Sequence, residues 1–186
     1  MKARIMQAFI EETQAKSMKF TMDDLAKRLG ISKRTLYEHF SSKTDILDAI
    51  IDSTLTEFDE KTDAIIQDPQ LTLLEKIKRT ITVVPSFNDF YDWKILEQMK
   101  KSYPTQWIRV DKALNQWDAL RELIEEGIRE GLIENHNVSL LIKLIIDATN
   151  STLDRQFFLE NRLTVSEALD EIVDVLLFGI IKKEHV

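Results

Sequence analysis

One short segment concentrates hydrogen-bond donors and positive charge in a chain that is acidic as a whole. Residues 31–43 read ISKRTLYEHFSSK, and they include Lys33, Arg34, Tyr37, His39 and Lys43. Residues 1–50 carry a net charge of +2, whereas the whole 186-residue chain carries −7. Arg and Lys side chains match the O6 and N7 acceptors of guanine, and all five side chains can donate to phosphate oxygens. The segment is therefore a candidate for binding nucleic acid.

The stretch that precedes this segment predicts a helix with clear end signals. TMDDLAKRLG offers Thr21 as an N-cap and Asp24, three residues later, as its capping-box partner. Gly30 stands where a helix C-cap would lie, and Ser32 caps a further helix that ends near Phe40. Only GIS separates the two helices, and so short a link containing glycine predicts a helix-turn-helix.

The second of these helices is expected to bury one side and to present the other. On an ideal helical wheel its apolar positions pack against the preceding helix, whereas Arg34, Thr35 and Glu38 point away. Lys33 leans toward the core side, but its place in the first turn lets it project from the helix tip. A recognition helix enters the major groove of DNA with such N-terminal residues at the base edges.

Two details of this interpretation have alternatives. Each donor taken singly could belong to an ordinary solvated surface, and only the whole set on a helix-turn-helix favours DNA. Glu38 could accept from cytosine N4 or point into water between contacts, and we favour water.

Lys43 and Thr21 stand at helix N-termini, where the helix dipole also favours an anion.

Residues 20–51, FTMDDLAKRLGISKRTLYEHFSSKTDILDAII, resemble the N-terminal DNA-binding region of TetR-family transcriptional regulators. The resemblance runs without a gap and includes the Tyr-x-His-Phe sequence of residues 37–40. It implies a dimeric repressor that a small molecule releases from a palindromic DNA operator. It also implies base-reading roles for Lys33, Arg34 and Thr35, and phosphate-contacting roles for Thr21, Tyr37, His39 and Lys43. Asp23 stands near positions that are basic in some members, which argues against a base contact from the second helix.

The remainder of the chain predicts helices only. Four Gly and three Pro are few for this length, so an all-α fold of about nine helices is expected. The fourth helix should end near residue 67, and later helices are expected at roughly 70–84, 87–101, 104–130, 138–160 and 165–182. We predict a helix-turn-helix DNA-binding domain over residues 1–46 and a helical ligand-binding and dimerisation domain over residues 47–186.

The last two predicted helices carry more apolar surface than one side can bury. SLLIKLIIDATN is apolar nearly all round, and the stripe of VSEALDEIVDVLLFGII broadens toward its end. A partner copy could cover the second side in a four-helix dimer interface; the alternative is a hairpin buried within one chain. The dimer candidates are Leu141, Ile145, Ile172, Leu176 and Ile180.

Aromatic side chains in the second half of the chain suggest a site for a small, largely apolar molecule. Residues 71–133 hold ten basic and ten acidic side chains, so charge does not identify the ligand. Plain core packing is the competing interpretation for each residue, because cores and pockets use the same residue types. The pocket candidates are Phe87, Phe90, Trp93, Met99, Trp107, Trp117 and Ile145.

The sequence lacks the motifs of enzymes and of metal sites. It has no Cys, no G-x-S-x-G, no Gly-rich phosphate loop and no H-E-x-x-H, and its His residues are far apart at 39, 136 and 185. We therefore expect no catalytic activity, no metal and no cofactor. The longest apolar run, residues 175–181, is too short for a membrane span, so we expect a cytoplasmic protein without a membrane partner. A helical interaction protein that keeps the fold but has lost operator binding remains the alternative function.

Overall fold

The computed structural model describes residues 1–178, apart from the side chain of Asp89. Eleven α-helices and three short 3-10 turns are present among these residues, and no strand is. The helices are α1 (Lys2–Lys16), α2 (Met22–Leu29), α3 (Lys33–His39), α4 (Lys43–Gln67), α5 (Leu73–Ile81), α6 (Trp93–Ser102), α7 (Pro104–Asn115), α8 (Asp118–Arg129), α9 (Val138–Asn150), α10 (Arg155–Asn161) and α11 (Val165–Phe178). The predicted all-α class is confirmed.

The ends of α2 and α3 follow the predicted capping signals. The Asp24 amide donates to Thr21 Oγ1 (3.2 Å), and the Thr21 amide donates to Asp24 Oδ2 (2.8 Å), which completes the capping box. Gly30 ends α2 with φ of 64°, a left-handed conformation that glycine adopts without strain. Ser32 Oγ then accepts from the Thr35 amide (3.0 Å) and starts α3. These local bonds fix where α2 begins and ends and where α3 begins.

The predicted helix over residues 104–130 is wrong as a single element. It is interrupted at residues 116 and 117, which separate α7 from α8. Trp117 leaves the helical conformation (φ −120°, ψ 62°) and lies against Phe58, with ring centroids 6.4 Å apart. Asp118 follows in the first turn of α8, where its carboxylate favours a new helix N-terminus.

The predicted helix over residues 138–160 is also divided, into α9 and α10. The hydroxyls of Ser151 and Thr152 donate to the carbonyl oxygens of Ala148 (2.6 Å) and Thr149 (2.7 Å), and so provide hydrogen-bond donors for carbonyl groups in the last turn of α9. Asp154 then accepts from the Phe157 amide (3.2 Å) and caps α10. These two breaks raise the helix number from the expected nine to eleven.

Two other helices start later than predicted. α5 begins after Thr72, whose amide donates to Glu75 Oε2 (2.8 Å) in a second capping box. α6 begins after Asp92, whose carboxylate accepts from the Lys94 amide (2.8 Å), rather than near residue 87. The segment over residues 88–90 forms a 3-10 turn instead.

The described residues form two compact units. The first holds residues 1–57 and 85–113, and the second holds residues 58–84 and the described residues from 114 onward. The predicted functional division between residues 46 and 47 stays a prediction, because compactness alone does not assign functions.

The first unit has an aromatic core. Phe9 and Phe90 are fully buried, and Phe20 packs edge-on against Phe9 with ring centroids 5.1 Å apart. The Phe9 and Phe90 rings are 6.3 Å apart. Leu25 of α2 and Leu36 of α3 are also fully buried.

The second unit is built on branched aliphatic side chains of α5, α8, α9 and α11. Its buried cluster comprises Ile77, Ile81, Leu120, Leu123, Ile124, Ile142, Ile145, Ile146 and Val173. No helix within residues 1–178 is long and apolar enough to cross a membrane.

Candidate nucleic-acid interface

An ion-pair network fastens α2, the helix that supports α3, to α1. Arg28 donates from Nε and Nη2 to Glu11 Oε2 (3.1 and 2.7 Å) and from Nη1 to Glu12 Oε1 (3.1 Å). The hydrogen bond from Arg28 lowers the pKa of Glu11. Burial would raise the pKa of Glu12, but the hydrogen bonds from Lys16 and Arg28 outweigh it and the pKa is lowered. Both carboxylates therefore stay charged against the guanidinium.

The three predicted base-reading residues lie together in the first turn of α3. Lys33 and Arg34 expose 62% and 89% of their side chains. Lys33 Nζ forms an ion pair with Asp23 of α2, and Arg34 Nε donates to Glu38 Oε1 (3.1 Å). The hydroxyl of Thr35 shares a hydrogen bond of 2.9 Å with Ser32 Oγ. The turn thus presents two cations and a hydroxyl at one end of an exposed helix.

All four predicted phosphate-contacting residues are at least partly exposed on the same module. Thr21 is exposed at the start of α2, Tyr37 is half exposed, and His39 is partly buried at the end of α3. Thr21 Oγ1 also donates to Asp24 Oδ2 (2.7 Å), so its hydroxyl proton is already in use.

Lys43 is held differently from the other three. Its Nζ donates to the carbonyl oxygens of Met18 and Phe20, at 2.7 Å each, and lies 4.1 Å from the centroid of the Phe20 ring. Burial lowers the pKa of Lys43. An ammonium has three N–H donors, so one remains for a further acceptor.

Sequence reasoning did not find the carboxylate partners of the two cations. Asp23 and Lys33 are ten positions apart and meet only because α2 and α3 pack as a helix-turn-helix. Glu38 pairs with Arg34 one turn away on α3, and their i, i+4 spacing is a signal that the sequence does carry.

The seven pocket candidates do not share one location. Phe87, Phe90, Trp93, Met99 and Trp107 belong to the first unit, whereas Trp117 and Ile145 belong to the second. Phe90 and Met99 are fully buried, and Trp93 is 45% exposed. Phe87, Trp107 and Trp117 are half-buried.

A cavity of about 450 Å³ lies within the second unit, and Ile145 is the pocket candidate that lines it. Its walls are apolar apart from Glu134 and His136. The apolar lining comprises Leu74, Ile77, Ile124, Leu132, Ile133, Leu141, Leu144, Ile145, Leu176, Leu177 and Phe178.

The dimer candidates lie on α9 and α11 of the second unit, except Ile180, which is outside the described residues. Ile145 is buried in the core of the unit, Leu141 and Ile172 are half-buried, and Leu176 is 38% exposed. Both helices also carry large apolar side chains that this unit leaves uncovered: Leu140, Leu144, Val175 and Phe178.

Comparison with known proteins agrees with this architecture. Residues 5–50 match the family model for bacterial regulatory proteins of the tetR family. The chain is 31% identical over 186 residues to YvaF of Bacillus subtilis (strain 168), named as an uncharacterized HTH-type transcriptional regulator, with 100% of this chain and 98% of that protein covered.

Two solved structures share the fold. PfmR, a TetR family transcriptional regulator from Thermus thermophilus, superposes with a TM-score of 0.75 at 21% identity, covering 96% of this chain and 100% of that one. KstR2, a ketosteroid transcriptional regulator of Mycobacterium tuberculosis, gives a TM-score of 0.73 at 18% identity, covering 98% and 95%. With a match along its whole length to a helix-turn-helix regulator, the chain belongs to the TetR family of transcriptional regulators and is not an enzyme.

Proposed function

We propose that this regulator is a repressor that binds a palindromic operator as a homodimer and is released by a small, largely apolar molecule. The observation that carries the proposal is the first turn of α3, where Lys33 and Arg34 are exposed side by side. Such donors at the tip of a helix-turn-helix suit guanine edges in the major groove.

The side chains on the flanks of α3 support an orientation on DNA in which phosphates lie on either side of the helix. Tyr37 and His39 are two positions apart on α3 and therefore point to different sides of the helix. The remaining donor of Lys43 lies at the start of α4, and Thr21 stands at the start of α2. These contacts would position the module without reading sequence. Lys33, Arg34 and Thr35 would read the bases.

The apolar surface of α9 and α11 supports the homodimer. One side of α9 is buried in its own unit through Ile142, Ile145 and Ile146, while Leu140 and Leu144 on the other side are 58% and 49% exposed. An uncovered apolar face of this kind marks an interaction site. Two-fold pairing would give the protein two recognition helices and explains why we propose a palindromic operator.

The cavity of the second unit supports an apolar effector. Its volume of about 450 Å³ falls in the range of small-molecule sites, and Glu134 and His136 supply its polar groups. Leu144 and Leu176 line the cavity and also belong to the exposed helices α9 and α11. A ligand there would therefore act close to the proposed dimer face. KstR2 is described as a ketosteroid transcriptional regulator, but our proposal of an apolar effector rests on the cavity and not on that description.

The DNA-binding part is tested by enrichment of duplexes from a random-sequence pool with the purified chain. Fluorescence anisotropy then compares the enriched duplex with a scrambled duplex at two salt concentrations. We expect a sequence with two-fold symmetry, bound tightly and with strong salt dependence. Transcription in vitro from a promoter that overlaps the enriched site should fall when the protein is added.

Failure to enrich any sequence would contradict the proposal and favour the helical interaction protein as the function. Intrinsic fluorescence of the three Trp, none of which lines the cavity, then distinguishes the two kinds of candidate site for an effector found by its release of the enriched duplex. An effector that changes this fluorescence would favour a pocket built from the aromatic candidates. An effector that leaves all three unperturbed would exclude a pocket built from the aromatic candidates and leave the aliphatic cavity as its site.

A further inference from the structure

In the unbound chain, each cation at the tip of α3 is already paired with a carboxylate of the same module. Lys33 Nζ contacts Asp23 of α2, and Arg34 Nε contacts Glu38 of α3 at 3.1 Å. The four formal charges cancel, so this surface attracts the uniform negative charge of DNA less than its two cations alone would. Non-specific DNA binding depends mainly on such attraction.

Asp23 is the more informative of the two carboxylates because it belongs to a different helix from its partner. It occupies the second position of α2, whose start is fixed by the Thr21–Asp24 capping box, and α3 starts at a fixed point after Gly30. Lys33 and Asp23 expose 62% and 42% of their side chains. An ion pair so exposed contributes little to stability, so stabilisation of the fold does not explain its placement.

We propose that Asp23 is a specificity-determining residue that positions Lys33 and lowers the affinity of the protein for non-operator DNA. The proposal rests on the DNA-binding function proposed above. Along random sequence, Lys33 meets phosphate or water, and the carboxylate both competes for its ammonium and repels phosphate. At a guanine, two of the three ammonium donors can satisfy O6 and N7 while the third stays on Asp23. The carboxylate therefore weakens the contact of Lys33 with the DNA backbone and leaves its contact with guanine intact.

The test uses the full chain with Asp23→Asn, which removes the charge and keeps the shape. Asp24 is untouched, so the capping box of α2 remains. Glu60→Gln is the matched control, because it removes one carboxylate from an exposed position of α4 in the second unit. Anisotropy titrations would use the enriched duplex and the scrambled duplex over a range of salt concentrations, with thermal unfolding to show that each variant folds.

We expect Asp23→Asn to raise the affinity for the scrambled duplex about three-fold or more and to steepen its salt dependence by about 0.9 in log–log slope, the value of one added phosphate contact. Affinity for the enriched duplex should rise less, so the ratio of the two affinities falls. In a Lys33→Gln background, Asp23→Asn should have a smaller effect, because only the direct repulsion between the carboxylate and phosphate is then removed.

Three results would overturn the role of Asp23. The variant could behave like Glu60→Gln, it could strengthen binding to both duplexes equally, or its effect could be undiminished in the Lys33→Gln background. A wild-type chain that does not prefer the enriched duplex would instead overturn the proposed function itself, and that result is read from the wild type alone.

Discussion

Lys43 Nζ lies 2.7 Å from the carbonyl oxygen of Phe20 and 4.1 Å from the centroid of the same residue's ring. A second bond of 2.7 Å reaches the carbonyl oxygen of Met18. The first residue of α4 is thereby fastened to the chain that links α1 to α2. Phe20 in turn packs on Phe9, so this cation closes one edge of the aromatic core. Lys43 therefore combines a structural contact with the phosphate contact proposed for its remaining donor.

Lys43→Met separates these two roles. We expect the free energy of unfolding to fall by about 1–2 kcal/mol, because two charge-assisted hydrogen bonds are lost from a partly buried site. We also expect weaker binding to all DNA sequences alike and a log–log salt slope that is shallower by about 0.9. Urea denaturation and anisotropy titrations measure the two effects.

Lys43→Arg is the control for charge, since it keeps a cation at the same position. It should retain most of the salt dependence even if its packing on Phe20 differs. An unchanged slope in Lys43→Met, together with weaker binding, would show that Lys43 acts only through the fold. A change in sequence preference would show instead that it reads bases.

Arg34→Ala should reduce operator preference more than overall affinity. Arg34 is 89% exposed, so its removal disturbs no packing, and it leaves Glu38 without its cation on the DNA-facing helix. The affinity for the enriched duplex relative to scrambled DNA should fall by about 1–3 kcal/mol, the range for one base contact. Lys112→Ala, an exposed cation of α7, is the control and should leave the ratio unchanged. An Arg34→Ala chain with an intact ratio would contradict the base-reading role.

The helix-turn-helix could be predicted from sequence because its signals are local. The capping box of Thr21 and Asp24, the left-handed Gly30 and the cap at Ser32 each act within a few residues. Leu25 and Leu36 then bury one side of α2 and one side of α3. The capping residues and the buried side chains favour the same helix ends here, so the predicted ends of α2 and α3 match the structure.

The breaks at residues 116–117 and 151–154 could not be predicted with the same rules. Ser and Thr occur both within helices and at their ends, so the sequence alone does not show that α9 ends here. The end becomes visible only in the structure, where the hydroxyls of Ser151 and Thr152 donate to the carbonyl oxygens of Ala148 and Thr149. Trp117 leaves its helix where it lies against Phe58, nearly sixty positions away. The same holds for the pairing of Lys33 with Asp23, which depends on the packing of two helices.

Leu144→Glu should convert the proposed homodimer into a monomer. Leu144 is 49% exposed on α9, so a carboxylate there is tolerated within one chain but would be buried without a partner charge in a dimer interface. Sedimentation equilibrium should give the monomer mass, and binding to the enriched palindrome should weaken sharply, because each half-site is then bound independently.

Leu159→Glu is the control for this experiment, since Leu159 is a 70% exposed apolar residue on α10, outside the proposed interface. It should leave the mass unchanged. If Leu159→Glu dissociates the protein and Leu144→Glu does not, the interface involves α10 rather than α9.

The Arg28 network makes the DNA-binding module sensitive to acid. The pKa values of Glu11 and Glu12 lie below the ordinary value of 4.5 in the folded chain. A carboxyl group with a lowered folded pKa stabilises the fold above its unfolded pKa, and this contribution is lost as the pH falls through the folded pKa. The free energy of unfolding should thus be nearly constant from about pH 7 to about pH 5 and decline below about 4.5.

Arg28→Gln should lower stability at neutral pH and flatten this decline, because it removes the hydrogen bonds that hold both carboxylates charged. The two stability curves should approach each other in acid, where protonated Glu11 and Glu12 no longer need the guanidinium. Urea denaturation across this pH range measures both curves, with Arg129→Gln, an exposed cation of α8, as the control that should follow the wild type. Parallel curves for Arg28→Gln and the wild type would show that carboxyl groups other than Glu11 and Glu12 cause the acid response. They would also show that the packing of α1 against α2 does not depend on the charges of Arg28, Glu11 and Glu12.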